Sequence, residues 1–105
     1  MGLDVVELVM RVEEEFAINL PDDECGQMRT VGHLYRLVLK KLNLEYRPTA
    51  EIEREQPPNR HTYVKLPLNT TSVWYTIKGI IVEQLQVDPN DVHEDSRFMD
   101  DLGAD

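Results

Sequence analysis

Cysteine, aromatic side chains, positive charge and long apolar runs are all scarce in this chain. A single cysteine, Cys25, in 105 residues excludes an intrachain disulfide. His33, His61 and His93 share no ligand spacing, so neither a zinc site nor a redox motif is expected. Aromatic residues make up 7% of the chain against an apolar share of 41%. A core must therefore come from Leu, Val, Ile and Met, which favours a helical bundle over an aromatic-rich sandwich. No stretch approaches the roughly 18 apolar residues of a membrane span. The opening MGLD lacks the basic and then apolar regions of a secretory leader. A cytoplasmic protein without a membrane span is the expectation. Eleven Lys and Arg against 20 Asp and Glu leave a net charge of −9, which repels a phosphate backbone and argues against nucleic acid as a partner. Such charge serves solubility or steering toward basic surfaces, and its magnitude does not choose between them.

At 105 residues the chain has room for one domain with a modest core. Leu3 to Phe16, LDVVELVMRVEEEF, carries two apolar stripes at helical spacing: Leu3, Val6 and Met10, and Val5, Val9, Val12 and Phe16. Together they predict one helix with a wide buried face. Its other positions include Asp4, Glu7, Glu13, Glu14 and Glu15 against a single Arg11, with Asp4 near the positive helix N-terminus. Pro21 ends that pattern and leaves room for a short helix within Asp22 to Met28. Thr30 is a suitable N-cap for a helix to about Leu42, with Val31, Leu34, Tyr35, Val38 and Leu42 on one face.

From Asn43 to Leu68, prolines and charges leave no lasting apolar period, and a linker is expected. Within it, 62–66 alternates weakly enough to lie extended. Thr70-Thr71-Ser72 offers caps for a last long helix carrying Val73, Ile77, Ile80, Ile81 and Leu85, which Val87-Asp88-Pro89 stops. An acidic loop follows, with Val92, Phe98 and Leu102 as apolar anchors. The predicted architecture is all-α: a four-helix bundle of three main helices and one short helix. Val6, Met10, Phe16, Val31, Leu34, Val38, Ile77, Ile80, Ile81 and Leu85 are its expected core.

Catalytic and metal constellations do not emerge. Residues 88–99 begin like a calcium loop, but Val92 and His93 stand where an oxygen ligand and the turn glycine belong, and no glutamate closes it. Cys25 has no histidine or acid that sequence places beside it, so it reads as a small core residue rather than a nucleophile. No enzyme is expected.

Read in the order of the last six residues and then the first sixteen, the chain runs DDLGAD, MG, LDVVELVMRVEEEF. That order resembles an acyl carrier protein, in which an aspartate-serine-leucine tripeptide lies between an acidic loop and an acidic recognition helix. Residues 1–42 resemble the second half of such a carrier. Residues 69–105, with WYTIKGIIVEQLQVDPNDVHEDSRFMDDLGAD, resemble its first half, including the V-x-P-x-x-V turn and the S-x-F-x-x-D-L anchor. Residues 43–68 join the two. The resemblance implies a circularly permuted carrier fold, phosphopantetheine-binding in ancestry, from fatty acid or polyketide biosynthesis.

In the family the serine bears the 4′-phosphopantetheine arm. Asp105 matches the aspartate and Leu3 the leucine, while Gly2 stands at the serine and has no hydroxyl. Gly2, Leu3 and Asp105 are therefore expected to be a vestigial attachment site, with no arm unless a serine follows Asp105 in the natural chain. Asp4, Glu7, Glu13, Glu14, Asp100 and Asp101 are the expected contacts to basic surfaces of carrier-recognising enzymes. Three functions follow from the resemblance: a docking module without an arm, a working acyl carrier, or a structural remnant of a tandem duplication. The family's first and last helices lie side by side, with axes about 8 to 10 Å apart. A flexible linker of this length spans roughly 25 to 30 Å. A monomer is expected, with a helix-swapped dimer as the alternative.

Overall fold

The computed structural model describes residues 3–25, 28–54 and 69–103, apart from the side chains of Leu3, Asp22 and Cys25. Among these residues five helices follow one another: α1 (Leu3–Phe16), α2 (Asp22–Cys25), α3 (Val31–Lys41), α4 (Thr49–Arg54) and α5 (Thr70–Leu85). A 3₁₀ turn at Pro89–Asp91 leads into the acidic loop. The fold is an all-α bundle, and among the described residues there is no strand, only an antiparallel bridge between Thr30 and Arg97. α5 packs against both α1 and α3.

Helix boundaries follow from local chemistry. Thr30 caps α3, its hydroxyl accepting the His33 N–H at 3.2 Å. α5 begins one residue earlier than the run of hydroxyls predicts. Asn69 is its cap, accepting the Ser72 N–H at 2.9 Å, and Ser72 Oγ accepts the Asn69 N–H in return at 3.0 Å. This reciprocal box satisfies two donors that a helix start leaves orphaned.

α1 and α3 end in left-handed residues, Ala17 (φ 53°) and Asn43 (φ 59°). The Ile18 N–H reaches back to the Glu13 carbonyl and the Leu44 N–H to the Leu39 carbonyl. Both are Schellman closures, and the apolar residue after each turn, Ile18 or Leu44, packs on the core.

The core is one cluster. Val31, Leu34, Val38, Ile77, Ile80 and Ile81 are buried as expected, and Phe16 and Leu85 pack at its edge. Trp74 and Tyr35 join it in an edge-to-face pair 5.4 Å apart. Val92, Phe98 and Leu102 pin the loop as their spacing suggests.

Two expectations fail. Val6 is 37% and Met10 54% exposed. A helix lying on one partner can bury only one of two stripes offset around its axis, and α1 turns Val5, Leu8, Val9 and Val12 inward. Residues 43–54 are also not a loose linker, since α4 buries Thr49 and Ile52 within them. One isoleucine among charges shows no periodicity, but it suffices where Glu53 reaches the Trp74 indole N–H and Lys78. The rest of that linker, including the extended run at 62–66, lies outside the described residues.

Candidate functional site

The outward side of α1 presents Val6, Glu7, Met10 and Glu14, all exposed, while Glu15 is exposed at the helix end on the side of Leu8. The helix periodicity that buries Val5, Leu8, Val9 and Val12 turns Glu7, Met10 and Glu14 to the opposite face, with Val6 at its margin. The other expected contacts are partly occupied. Asp4 is half-buried. The Glu13 carboxylate accepts the Leu20 N–H at 2.9 Å, which ties the turn after α1 to its last coil. Glu7 accepts from Gln84 of α5 at 3.1 Å, and Arg11 reaches Gln84 and Glu83.

Asp100 and Asp101 lie on the acidic loop, exposed, with Arg97 between them. Asp101 accepts the Arg97 backbone N–H at 2.8 Å and its guanidinium at 3.2 Å, and Asp100 pairs with Arg97 at 3.3 Å. The Arg97 hydrogen bonds hold the Asp101 carboxyl below its usual range. Gly103 then turns the chain through φ +67°, a conformation that a side chain would strain.

Met99, 67% exposed, helps line a cavity of about 440 Å³ together with Val5, Met28, Arg29, Arg97, Phe98 and Asp100. This cavity brings Val5, in the first turn of α1, into one site with the loop. Gly2 and Asp105 lie outside the described residues, as does the Leu3 side chain.

The loop is held by its own carbonyls. The first backbone donors of α3 find no partner within that helix. Val31 N–H donates to the Ser96 carbonyl at 2.9 Å, and Gly32 N–H to the Glu94 carbonyl at 2.6 Å. Phe98 N–H returns to the Arg29 carbonyl at 3.0 Å. Ser96 Oγ accepts from His93 N–H and donates to the Asp91 carbonyl, both at 2.9 Å. The Glu94 side chain then turns to α4. Its carboxylate accepts the Thr49 N–H at 3.0 Å, the Arg36 guanidinium at 3.1 Å and the Tyr46 hydroxyl. Burial alone would push this carboxyl up, but the hydrogen bonds from Thr49 and Tyr46 and the charge of Arg36 outweigh it and hold it below its ordinary value. Beside it, burial pushes the Tyr35 phenol up to about 12, its hydroxyl donating to the Arg47 carbonyl at 2.7 Å.

Sequence reasoning located the acidic helix and the loop anchors but missed Glu94, whose role depends on contacts 45 and 58 positions away. The stripe of Val6 and Met10 was visible, yet periodicity gave no sign of which stripe faced out.

Among known proteins, the chain is 53% identical over 37 residues to the acyl carrier protein of Wolinella succinogenes, a segment covering 35% of this chain and 49% of that protein. It is 49% identical over 40 residues to the acyl carrier protein of Picosynechococcus, covering 38% and 49%. To that of Chlamydia trachomatis it is 39% identical over 42 residues, covering 40% and 54%. The chain spans about half the length of these curated relatives. No family model and no solved structure matches it. Over more than a third of its length, the chain is similar to acyl carrier proteins.

Proposed function

We propose that the chain is a circularly permuted, acyl-carrier-like binding module that docks on basic surfaces of carrier-recognising enzymes without bearing a prosthetic arm. The observation that carries this reading is the outward stripe of α1, where Val6 and Met10 stand exposed beside Glu7 and Glu14. Large apolar side chains flanked by mostly acidic residues are the composition of a docking patch: the apolar centre supplies burial and the acidic rim supplies steering. The cavity shared by Val5 and residues 97–100 supports the permutation, since it brings together two regions that would be neighbours along an unpermuted carrier.

The absence of an arm rests on the hydroxyls. A phosphoester needs one at the start of the recognition helix, and Gly2 has none. Both serines of the chain are buried and bonded, Ser72 in the α5 cap and Ser96 inside the loop. Neither fits the group.

A second reading, a working acyl carrier, applies if the natural chain supplies a serine after Asp105. The 440 Å³ cavity favours it, having the size of a small-molecule pocket and an apolar lining from Val5, Met28, Phe98 and Met99. The third reading, a remnant of duplication, predicts no docking at all.

Intact mass after incubation with a phosphopantetheinyl transferase and coenzyme A, measured on the protein with whatever natural residues follow Asp105, separates the first two. The unchanged mass is expected, and a gain of the arm would overturn the armless reading. Docking is tested by titrating the chain against that same transferase. Met10→Asp should weaken binding about tenfold or more, as loss of a central apolar contact does. Equal affinity of wild type and variant would remove α1 as the docking face.

A further inference from the structure

Glu94 is placed to serve two helices at once. Its backbone carbonyl accepts the Gly32 N–H at the start of α3, and its carboxylate accepts the Thr49 N–H at the start of α4. Both are donors that a helix start leaves without an internal partner. The Tyr46 hydroxyl and the Arg36 guanidinium complete the carboxylate's shell. Two residues further along, Ser96 accepts from Val31. Beyond that, Phe98 N–H is held by Arg29, and the Asp101 and Leu102 N–H groups by the Arg97 carbonyl. The backbone of 94–102 thus links the Glu94 carboxylate, held by residues 46–49, to a ladder of hydrogen bonds on the residues at the start of α3 and to the turn that carries Asp100 and Asp101.

The contact at Gly32 is tight. A Cβ there would lie 2.5 Å from Glu94 Cγ and 2.6 Å from its carbonyl oxygen. Only a glycine leaves space for Glu94 against the start of α3, so the side chain and carbonyl of this one residue couple α4, α3 and the loop.

We propose that Glu94 is a latch through which the 44–54 segment sets the position of the 94–102 loop, and so regulates the acidic face that this loop forms beside α1. The regulatory part rests on the docking reading above; the mechanical part does not. Whatever binds or displaces α4 would then loosen Asp100, Asp101 and the cavity wall at 97–100 without touching them.

Amide hydrogen exchange on the whole chain, with no partner present, tests the latch. Tyr46→Phe removes one hydroxyl from a half-exposed ring and leaves Glu94 in place. Glu94→Gln removes the charge and keeps the shape. Both should speed exchange at Phe98, Asp101 and Leu102 by roughly 2- to 10-fold, the effect of losing a hydrogen bond of ordinary net strength. Trp74 fluorescence melts should show each variant folded. Were Glu94→Gln to unfold, Tyr46→Phe would still decide the matter, because its ring is exposed and its loss of packing small. Loosening confined to residues 31–32 and 46–49, with 98–102 protected as in wild type, would overturn the proposal. Because no partner is used, the latch and the docking reading fail separately.

Discussion

At Gly32 a single methyl group decides whether the loop can close. Its Cβ would meet both the side chain and the carbonyl of Glu94, one contact being to backbone that cannot swing aside. Gly32→Ala should therefore destabilise the fold by about 1 to 3 kcal/mol, as overpacking does. Denaturant melts followed by the lone tryptophan would measure it.

Glu94 itself gives the stability a pH dependence. Its carboxyl is held below the ordinary value of 4.5, so it contributes stability that is fully present above that value and lost as pH falls through the lower, folded one. Glu94→Gln should flatten that part of the acid limb of a stability–pH curve. An unchanged acid limb would mean that other carboxylates carry it. Tyr46, whose phenol is raised chiefly by its hydrogen bond to Glu94, should return toward its ordinary value in the same variant, which an ultraviolet titration would detect.

At the scale of elements, α5 is the spine of the bundle, yet it carries Gly79 on its exposed side with nothing within 4 Å of an added Cβ. Glycine inside a helix is the less stable choice because its unfolded chain has more freedom to lose. Gly79→Ala should thus stabilise the protein by about 0.5 to 1 kcal/mol, raising the melting temperature by roughly 2 to 8 °C.

α4 is the opposite case. It has six residues, far too few to be stable alone, and it stays folded because Ile52 is buried and Glu53 bonds Trp74 and Lys78. Ile52→Ala should cost about 2 to 5 kcal/mol and shift Trp74 emission to the red as α4 lifts and water reaches the indole. Emission unchanged at full stability loss would place the damage elsewhere. This helix was not legible in the sequence, because its support comes from side chains of α5 and from Glu94, none of them near in the chain. α1, α3 and α5 were legible, because each repeats an apolar face for three or more turns and begins or ends at a residue with a local reason to do so.

For the molecule as a whole, the question is whether one chain completes the bundle. α1 and α5 pack together, and the last residues of α4 already touch the first turns of α5 through Glu53, Trp74 and Lys78. The connection from Arg54 to Asn69 thus joins two helices that are in contact, which favours closure within one chain over exchange between two. Sedimentation should give the monomer mass of 12.2 kDa at micromolar concentration, and twice that mass would indicate the swapped dimer. The charge of −9 also opposes self-association.

Helical class, the cap at Thr30, the loop anchors and the acid excess were determined by the sequence alone, because each depends on residues within a few positions of one another. Similarity to acyl carriers over 35% to 40% of the chain was equally readable, since it is a matter of order along the chain. Tertiary structure alone decided which stripe of α1 is buried. The helix presents Val5, Val9 and Val12 and also Val6 and Met10 at valid spacing, and only the position of α5 selects the first set. It likewise decided that Glu94, one acid among twenty, faces inward to Thr49, Arg36 and Tyr46. Periodicity is a property of one helix, whereas burial and hydrogen bonding are properties of what that helix meets.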